Sequence, residues 1–211
     1  MSSKELKNIE ESMVSKRLAV LKFVVIGDSA VGKTNILLRY IDDTFSNEFQ
    51  ATIGVELKNK SYYYEGIKVK EQVWDTAGQE KYQSISGVYF KGAHGALIVY
   101  DISNKETYEH LEKWICILRR HTGEDTEIFI VGNKLDIEHK RAVPQEEVLE
   151  FAEREGCGYY EVSAYSGQNI NLVFQQLSKK VLSKIDVEDL PFDDSSSSKK
   201  HNTSNNKVQF K

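Results

Sequence analysis

The chain has 211 residues, of which 40% are hydrophobic and 28% are charged, as is typical of a folded globular protein rather than a fibrous one. Its formal net charge of −4 argues against general nucleic-acid binding, because no excess of positive charge is available to neutralise phosphates. Its two cysteines form no C-x-x-C pair, which argues against a disulfide framework and against a cysteine-based zinc site.

The two ends of the chain differ in composition from its middle. Residues 1–17 mix acidic and basic side chains and hold no apolar stretch long enough for a secretory signal, so we expect an N-terminal extension in a cytoplasmic protein. From residue 186 onward polar residues dominate, and too little apolar surface is available to offset the entropy lost on ordering. The sequence therefore predicts one domain over residues 18–185 and a disordered tail over residues 186–211.

Buried strands alternate with amphipathic helices along the predicted domain. Nearly continuous apolar runs, typical of parallel strands buried on both faces, lie at residues 18–26, 96–100, 128–131 and 159–162. Apolar residues recur with helical spacing in two sets: Tyr108, Leu111, Ile115 and Leu118, then Ile170, Val173, Phe174, Leu177 and Val181. Pro144 suits the first turn of a further helix that runs to about residue 155. This alternation predicts an α/β fold with a sheet covered on both faces.

One segment departs from this rhythm. Residues 55–63 alternate in side-chain character, and the pair Glu65-Gly66 separates them from Ile67, Val69 and Val73. A two-residue turn between two such runs predicts a β-hairpin, which we expect at an edge of the sheet.

A phosphate-binding motif follows the first predicted strand directly. Residues 27–34 read GDSAVGKT, a full match to G-x-x-x-x-G-K-[ST] in the strand-to-helix context that the motif requires. Gly27 and Gly32 allow backbone angles that bring N–H groups around an anion, and the start of the next helix adds its positive dipole end. Lys33 supplies a charge for the outer phosphates, and Thr34 supplies a hydroxyl for Mg²⁺. The alternative is a glycine-rich surface turn, which the flanking strand and helix disfavour.

Two further segments fit a phosphate and metal site. Residues 74–80 read WDTAGQE and end the third predicted strand, where ligands of open α/β sheets bind and where Asp75 can hold a metal-bound water. Thr52 lies in a polar loop over residues 45–53 that is long enough to fold over a nucleotide. The phosphate motif itself does not distinguish ATP from GTP, or a kinase from a hydrolase.

Two more segments favour guanine. Residues 133–136 read NKLD, and the carboxylate of Asp136 can accept both N–H donors of the guanine edge, which adenine lacks. Ser163 and Ala164 follow the last predicted strand, where backbone N–H groups can donate to the guanine carbonyl oxygen. Each short segment alone also has a turn or helix-cap explanation, but all five in this order favour a guanine-nucleotide site.

Over residues 18–185 the chain resembles the small GTPases of the Ras superfamily. Segments at residues 53–57 (IGVEL), 74–80 (WDTAGQE) and 89–93 (YFKGA) resemble the Rab family, and residues 95–102 and 141–144 resemble its recycling-endosome branch. The resemblance implies a P-loop NTPase fold, with a six-stranded, mostly parallel sheet, one antiparallel edge strand and helices on both faces. It also implies a GTP-binding switch that regulates vesicle traffic.

The resemblance implies a role for each matching residue, with GTP or GDP as ligand and Mg²⁺ as cofactor. The phosphates would be bound by Ser29, Ala30, Val31, Gly32, Lys33, Thr34 and Gly78. Mg²⁺ would be bound by Thr34 and Thr52 and, through water, by Asp75. The guanine would be bound by Phe45, Asn133, Lys134, Asp136, Ser163 and Ala164. Gln79 would orient the attacking water. Hydrolysis should be slow without a partner's arginine, because none falls at residues 45–52 or 79–82.

The implied partners are an exchange factor, a GTPase-activating protein and effectors that contact the switch loops. Residues 208–211 read VQFK, without a cysteine for prenylation, so we leave membrane association open and expect any contact with endomembrane vesicles to occur through partners. Two alternatives remain: a module that binds GTP with little or no turnover, which Gln79 and Thr52 disfavour, and a kinase, for which no acceptor-binding domain remains. Leu57 and Tyr165 depart from the residues usual in the Rab family.

Overall fold

The computed structural model describes residues 17–47, 54–76 and 83–193, and six strands in these ranges form one sheet. The strands are β1 (Leu18–Gly27), β2 (Val55–Tyr64), β3 (Ile67–Thr76), β4 (Gly95–Asp101), β5 (Glu127–Asn133) and β6 (Gly158–Glu161). Their order is β2-β3-β1-β4-β5-β6, and each neighbouring pair is parallel except β2 with β3. The predicted sheet with one antiparallel edge strand is confirmed.

Helices pack on both faces of this sheet, as predicted. The α-helices of the described chain are α1 (Lys33–Asp42), α2 (Gln83–Phe90), α3 (Lys105–Glu109), α4 (Leu111–His121), α5 (Gln145–Arg154) and α6 (Ile170–Leu182), with 3₁₀ turns at Leu135–Lys140 and Val187–Asp189. One buried cluster contains apolar residues of α1 and α6, and a second contains those of α2, α4 and α5. β4 lies between them and is buried at all seven positions, which explains its continuous apolar run.

The predicted hairpin is confirmed. Val55 pairs with Thr76 and Tyr64 pairs with Ile67, so that the two strands are in register along their whole length. The turn residues Glu65 and Gly66 have φ angles of 47° and 79°. A two-residue turn of type I′ requires positive φ at both positions, and its twist matches that of the paired strands.

The start of α5 differs from the prediction. Pro144 lies before the first turn, with an extended backbone at φ −60° and ψ 137°, and the helix begins at Gln145. Proline fits this position as well as the first turn, because neither position requires a backbone N–H.

The packed domain extends beyond the predicted boundary at residue 185. Leu190 is buried in the core cluster that contains α6, and Arg17 forms a β-bridge with Phe192. The Arg17 guanidinium donates to the Leu190 carbonyl at 2.6 Å and lies 4.3 Å from the centre of the Phe192 ring. The average composition of the predicted tail does not reveal Leu190 and Phe192, two apolar residues near its start that pack against the domain. The remainder of that tail and residues 1–16 lie outside the described residues.

Candidate nucleotide-binding site

The phosphate loop connects β1 to α1 at the carboxyl end of the parallel strands. Gly27 has φ 137°, and a Cβ atom added there would clash with the Val99 carbonyl oxygen of β4. Gly32 has φ 96°, and its Cβ would clash with the side-chain nitrogen of Asn133. The two glycines of the motif are therefore required both by backbone angle and by the close approach of neighbouring strands.

Lys33 lies buried beneath this loop, with 6% of its surface exposed. Its Nζ donates to the main-chain carbonyls of Gly27 at 2.9 Å and Asp28 at 2.6 Å. Burial lowers the pKa of Lys33 to about 8, and the negative charges of Asp75 and Asp28 partly oppose that shift. An anion bound in the loop would give this desolvated ammonium group a counter-charge.

Thr34 and Asp75 meet where β3 ends. The Thr34 hydroxyl donates to Asp75 Oδ2 at 2.6 Å. The other carboxylate oxygen of Asp75, Oδ1, is buried and has no hydrogen-bond partner among the described residues. Burial raises the pKa of Asp75, against the opposing effects of the Thr34 hydrogen bond and the Lys33 charge. A threonine hydroxyl beside an orphaned carboxylate oxygen is a donor set that fits a hard cation such as Mg²⁺.

Asn133 connects the phosphate loop to the predicted base-binding residues. Its Nδ2 donates to the Val31 carbonyl at 2.8 Å, and its Oδ1 accepts from the Ala164 backbone N–H at 3.1 Å. The residue ends β5 and is only 2% exposed, so both hydrogen bonds are shielded from water. One buried side chain therefore fixes the two halves of the candidate site relative to each other.

Four of the predicted base-binding residues, Lys134, Asp136, Ser163 and Ala164, lie in the two segments that follow β5 and β6. The fully buried Ser163 donates from its hydroxyl to Asp136 Oδ1 at 2.6 Å, which orients the carboxylate. The ammonium group of Lys134 lies 2.6 Å from Asp101 Oδ2, and the Lys134 backbone has a positive φ of 73°. These contacts hold the polar side chains of the base site in defined directions.

Phe45 lies in the loop after α1, beside the segment that follows β6. Its ring meets the Tyr165 ring edge-on, with centroids 5.3 Å apart and planes at 87°. Arg39 of α1 donates to the carbonyls of Ala164 at 3.1 Å and Tyr165 at 2.8 Å, and so holds the loop that carries the second ring. Sequence reasoning missed Arg39, because an arginine in a helix carries no signal of a partner 126 residues away.

The described structure brings most of the predicted site residues together. These are Ser29, Ala30, Val31, Gly32, Lys33, Thr34, Phe45, Asp75, Asn133, Lys134, Asp136, Ser163 and Ala164. Thr52, Gly78 and Gln79 lie outside the described residues, and the roles given to them stay predictions.

Proteins of one family match the chain over most of its length. The sequence profile of the Ras family matches residues 22–183. The chain is 43% identical to "Ras-related protein RABA4b" of Arabidopsis thaliana over 171 residues, which span 81% of this chain and 76% of that protein. It is 42% identical to "Ras-related protein RABA4a" of the same plant over equal shares. It is 41% identical to "Ras-related protein Rab11D" of Nicotiana tabacum over 178 residues, or 84% of this chain and 80% of that one. The chain therefore belongs to the Ras family of small GTPases and, within it, to the Rab group.

Proposed function

We propose that the protein is a Rab-type switch that binds GTP, hydrolyses it slowly to GDP and binds effectors in the GTP-bound state. The observation that carries this proposal is a pair of buried hydrogen bonds: the Asn133 side chain donates to the Val31 carbonyl and accepts from the Ala164 N–H. These hydrogen bonds hold the phosphate-binding motif and the segment after β6 at a fixed separation. A single nucleotide whose phosphates and base bind at these two segments needs such an arrangement. Membership of the Rab group supports a role in vesicle traffic.

Charge neutralisation and positioning are the chemistry that this site offers to phosphates. The Lys33 ammonium, the N–H groups of the loop and the start of α1 would together offer positive charge to a phosphate bound in the loop. Thr34 and Asp75 would hold Mg²⁺, with Thr52 as a further predicted ligand, and the ion would offset the charge of the phosphate oxygens. We propose that Gln79 orients the attacking water.

Slow turnover by the isolated chain is part of the same proposal. The sequence places no arginine at residues 45–52 or 79–82, so no such side chain is available there to neutralise the transition state. An arginine from a GTPase-activating protein would accelerate hydrolysis by about 10³–10⁵. The competing function, a GTP-binding module without turnover, would show no such acceleration.

Competition between nucleotides tests the binding site. With Mg²⁺ present, GDP and GTP should displace a bound fluorescent GDP analogue at far lower concentration than ATP, because adenine has no donor pair for Asp136. Equal displacement by ATP would contradict the base site. Single-turnover hydrolysis of bound GTP then separates the switch from the module without turnover.

The Gln79→Leu variant tests the assignment of the water-orienting residue. We expect GTP hydrolysis about 10-fold slower or more, with the affinity for GDP unchanged, because orienting a water stabilises the transition state rather than the bound nucleotide. Hydrolysis is measured in single turnover, and GDP affinity is measured by titration. An unchanged hydrolysis rate would show that Gln79 does not act on the water.

The Tyr165→Ala variant tests the aromatic contact at the base site. An edge-to-face ring pair contributes about 0.5–1.5 kcal/mol, so losing the contact with Phe45 should accelerate GDP release about 2- to 10-fold. Tyr165→Phe keeps the ring and should release GDP at the unmodified rate. Tyr63→Ala, on the exposed edge strand, is a control for the loss of a tyrosine elsewhere. Equal release rates from Tyr165→Ala and Tyr63→Ala would show that the contact between Phe45 and Tyr165 does not slow nucleotide release.

We propose that effectors contact an apolar surface formed by Leu57, Trp74 and Tyr89. Leu57 pairs with Trp74 across the hairpin, and the Trp74 and Tyr89 rings lie 5.6 Å apart. Leu57 is 38% exposed, so the surface is open to a partner in the described structure. Helices long and apolar enough to cross a bilayer are absent from the described ranges. We propose that partners bring the protein to endomembrane vesicles.

A further inference from the structure

A side-chain cluster behind the phosphate loop has no part in the function proposed above. Asp28, the second residue of the loop, directs both carboxylate oxygens toward the junction of α3 and α4. Its Oδ2 lies 2.6 Å from Nδ1 of His110, and its Oδ1 accepts from the Trp114 indole N–H at 2.8 Å. The tautomer of His110 with its proton on Nδ1 donates to this carboxylate oxygen.

The two donors differ in how firmly they are held. Trp114 is 5% exposed and packs in the cluster that contains α2, α4 and α5, so its N–H has a fixed direction. His110 is the single residue between α3 and α4, and 41% of its side chain is exposed. The backbone N–H of His110 donates to the Glu106 carbonyl, and the His110 carbonyl accepts from the backbone N–H of Trp114. The side chains of His110 and Trp114 that contact Asp28 are therefore carried by one short stretch of backbone.

A carboxylate at this position is unfavourable for a loop that binds phosphates. The Asp28 main-chain carbonyl accepts from Lys33 Nζ at 2.6 Å, so the residue lies beside the ammonium group that we propose binds the phosphates. Only 21% of its side chain is exposed, so solvent screens its charge incompletely. If the carboxylate turned toward a bound nucleotide it would repel the phosphates, whereas its contacts with His110 and Trp114 keep it on the outer side of the loop.

We propose that His110 and Trp114 are positioning residues that hold the Asp28 carboxylate away from the bound phosphates and thereby slow nucleotide release. This role rests on the proposed nucleotide site. Neither residue contacts the nucleotide, since both act through Asp28. The cluster therefore links the rate of nucleotide release to the α3–α4 junction, which lies outside the predicted set of site residues.

The test measures release of a fluorescent GDP analogue from the full chain in the presence of Mg²⁺. Trp114→Phe deletes the indole N–H while keeping an aromatic ring, and we expect release to be about 10-fold faster or more, the effect of losing one hydrogen bond to a charged group. His110→Ala, at a half-exposed position, should give an acceleration of similar size and guards against misfolding of the core variant. His121→Ala, at the other end of α4, is the matched control and should release GDP at the unmodified rate.

The same substitutions in an Asp28→Asn background separate positioning of a charge from mere packing. Asparagine keeps an acceptor for Trp114 but carries no charge, so adding Trp114→Phe or His110→Ala should change release less than about 2-fold. Equal acceleration in the unmodified chain and in the Asp28→Asn background would overturn the proposal, because packing alone would then explain it. Unmodified release from both single variants would overturn it as well. A chain that binds no guanine nucleotide would instead contradict the proposed function.

Discussion

Asn133→Ala is expected to weaken GDP binding by more than about 100-fold and to lower the free energy of unfolding by about 2–6 kcal/mol. The substitution leaves the Val31 carbonyl and the Ala164 N–H without their buried partner, and each unsatisfied group costs about 1–3 kcal/mol. It also removes the amide against which Gly32 packs, so that the phosphate loop is free to shift relative to the base loop. Both halves of the site lose their fixed separation in one step.

Denaturant unfolding with and without GDP measures both effects. A ligand that binds only the native state stabilises it in proportion to its affinity, so GDP should stabilise the variant far less than the unmodified chain. Asn169→Ala is the matched control, because it loses one exposed hydrogen bond to the Glu161 carbonyl and places alanine at φ 60°. It should lower stability while keeping GDP affinity. If Asn133→Ala also lowers stability without weakening GDP binding, Asn133 stabilises the fold but does not position the nucleotide site.

The features of the fold that were predictable from sequence are those written in local patterns. The seven buried positions of β4 give a continuous apolar run, and the positive φ angles at Glu65 and Gly66 follow from a turn of only two residues. The phosphate motif is equally local, since its loop, lysine and threonine lie within eight consecutive residues and differ from chance by their flanking strand and helix.

Contacts between distant parts of the chain were not predictable. Asp28 and Trp114 are separated by 86 residues, and nothing in either local segment indicates that the side chains meet. Glu71 is a clearer case, because it is fully buried on the core-facing side of β3, where alternation predicts an apolar residue. The hydroxyls of Tyr40, Tyr62 and Ser178 donate to its carboxylate at 2.6 to 2.8 Å, which satisfies a charge that would otherwise be costly to bury.

The same distinction applies to the candidate site. The candidate base-binding residues were chosen from short segments, but their orientation depends on partners such as Ser163 for Asp136 and Asp101 for Lys134. Arg39 joins α1 to the loop after β6 through main-chain carbonyls, which every residue type possesses and which leave no trace in sequence. The sequence therefore indicates candidate site residues by type, whereas the side chains that position them were not predictable.

Asp136→Asn is expected to shift nucleotide preference from guanine toward xanthine by about 10³-fold or more, since a site that hydrogen-bonds the polar groups of its ligand rejects a ligand that leaves them unpaired. The carboxylate can accept two N–H donors from guanine, whereas an amide presents one acceptor and one donor. Xanthine replaces the exocyclic donor of guanine with a carbonyl acceptor and therefore matches the amide. The Ser163 hydroxyl, which donates to Asp136 Oδ1 at 2.6 Å, can donate to an amide oxygen equally well, so the side chain should keep its direction.

Competition of GDP and xanthosine diphosphate for the same site measures this exchange. Glu138→Gln is the matched control: it neutralises a carboxylate two residues away on the same 3₁₀ turn, where the side chain is 67% exposed and lies 3.3 Å from Arg141. This control should retain the guanine preference, because the Glu138 carboxylate that it removes is exposed and its charge is screened by solvent. A guanine preference that survives in Asp136→Asn would show that another group reads the base edge. A loss of both nucleotides together would instead indicate that the charge of the carboxylate stabilises the loop.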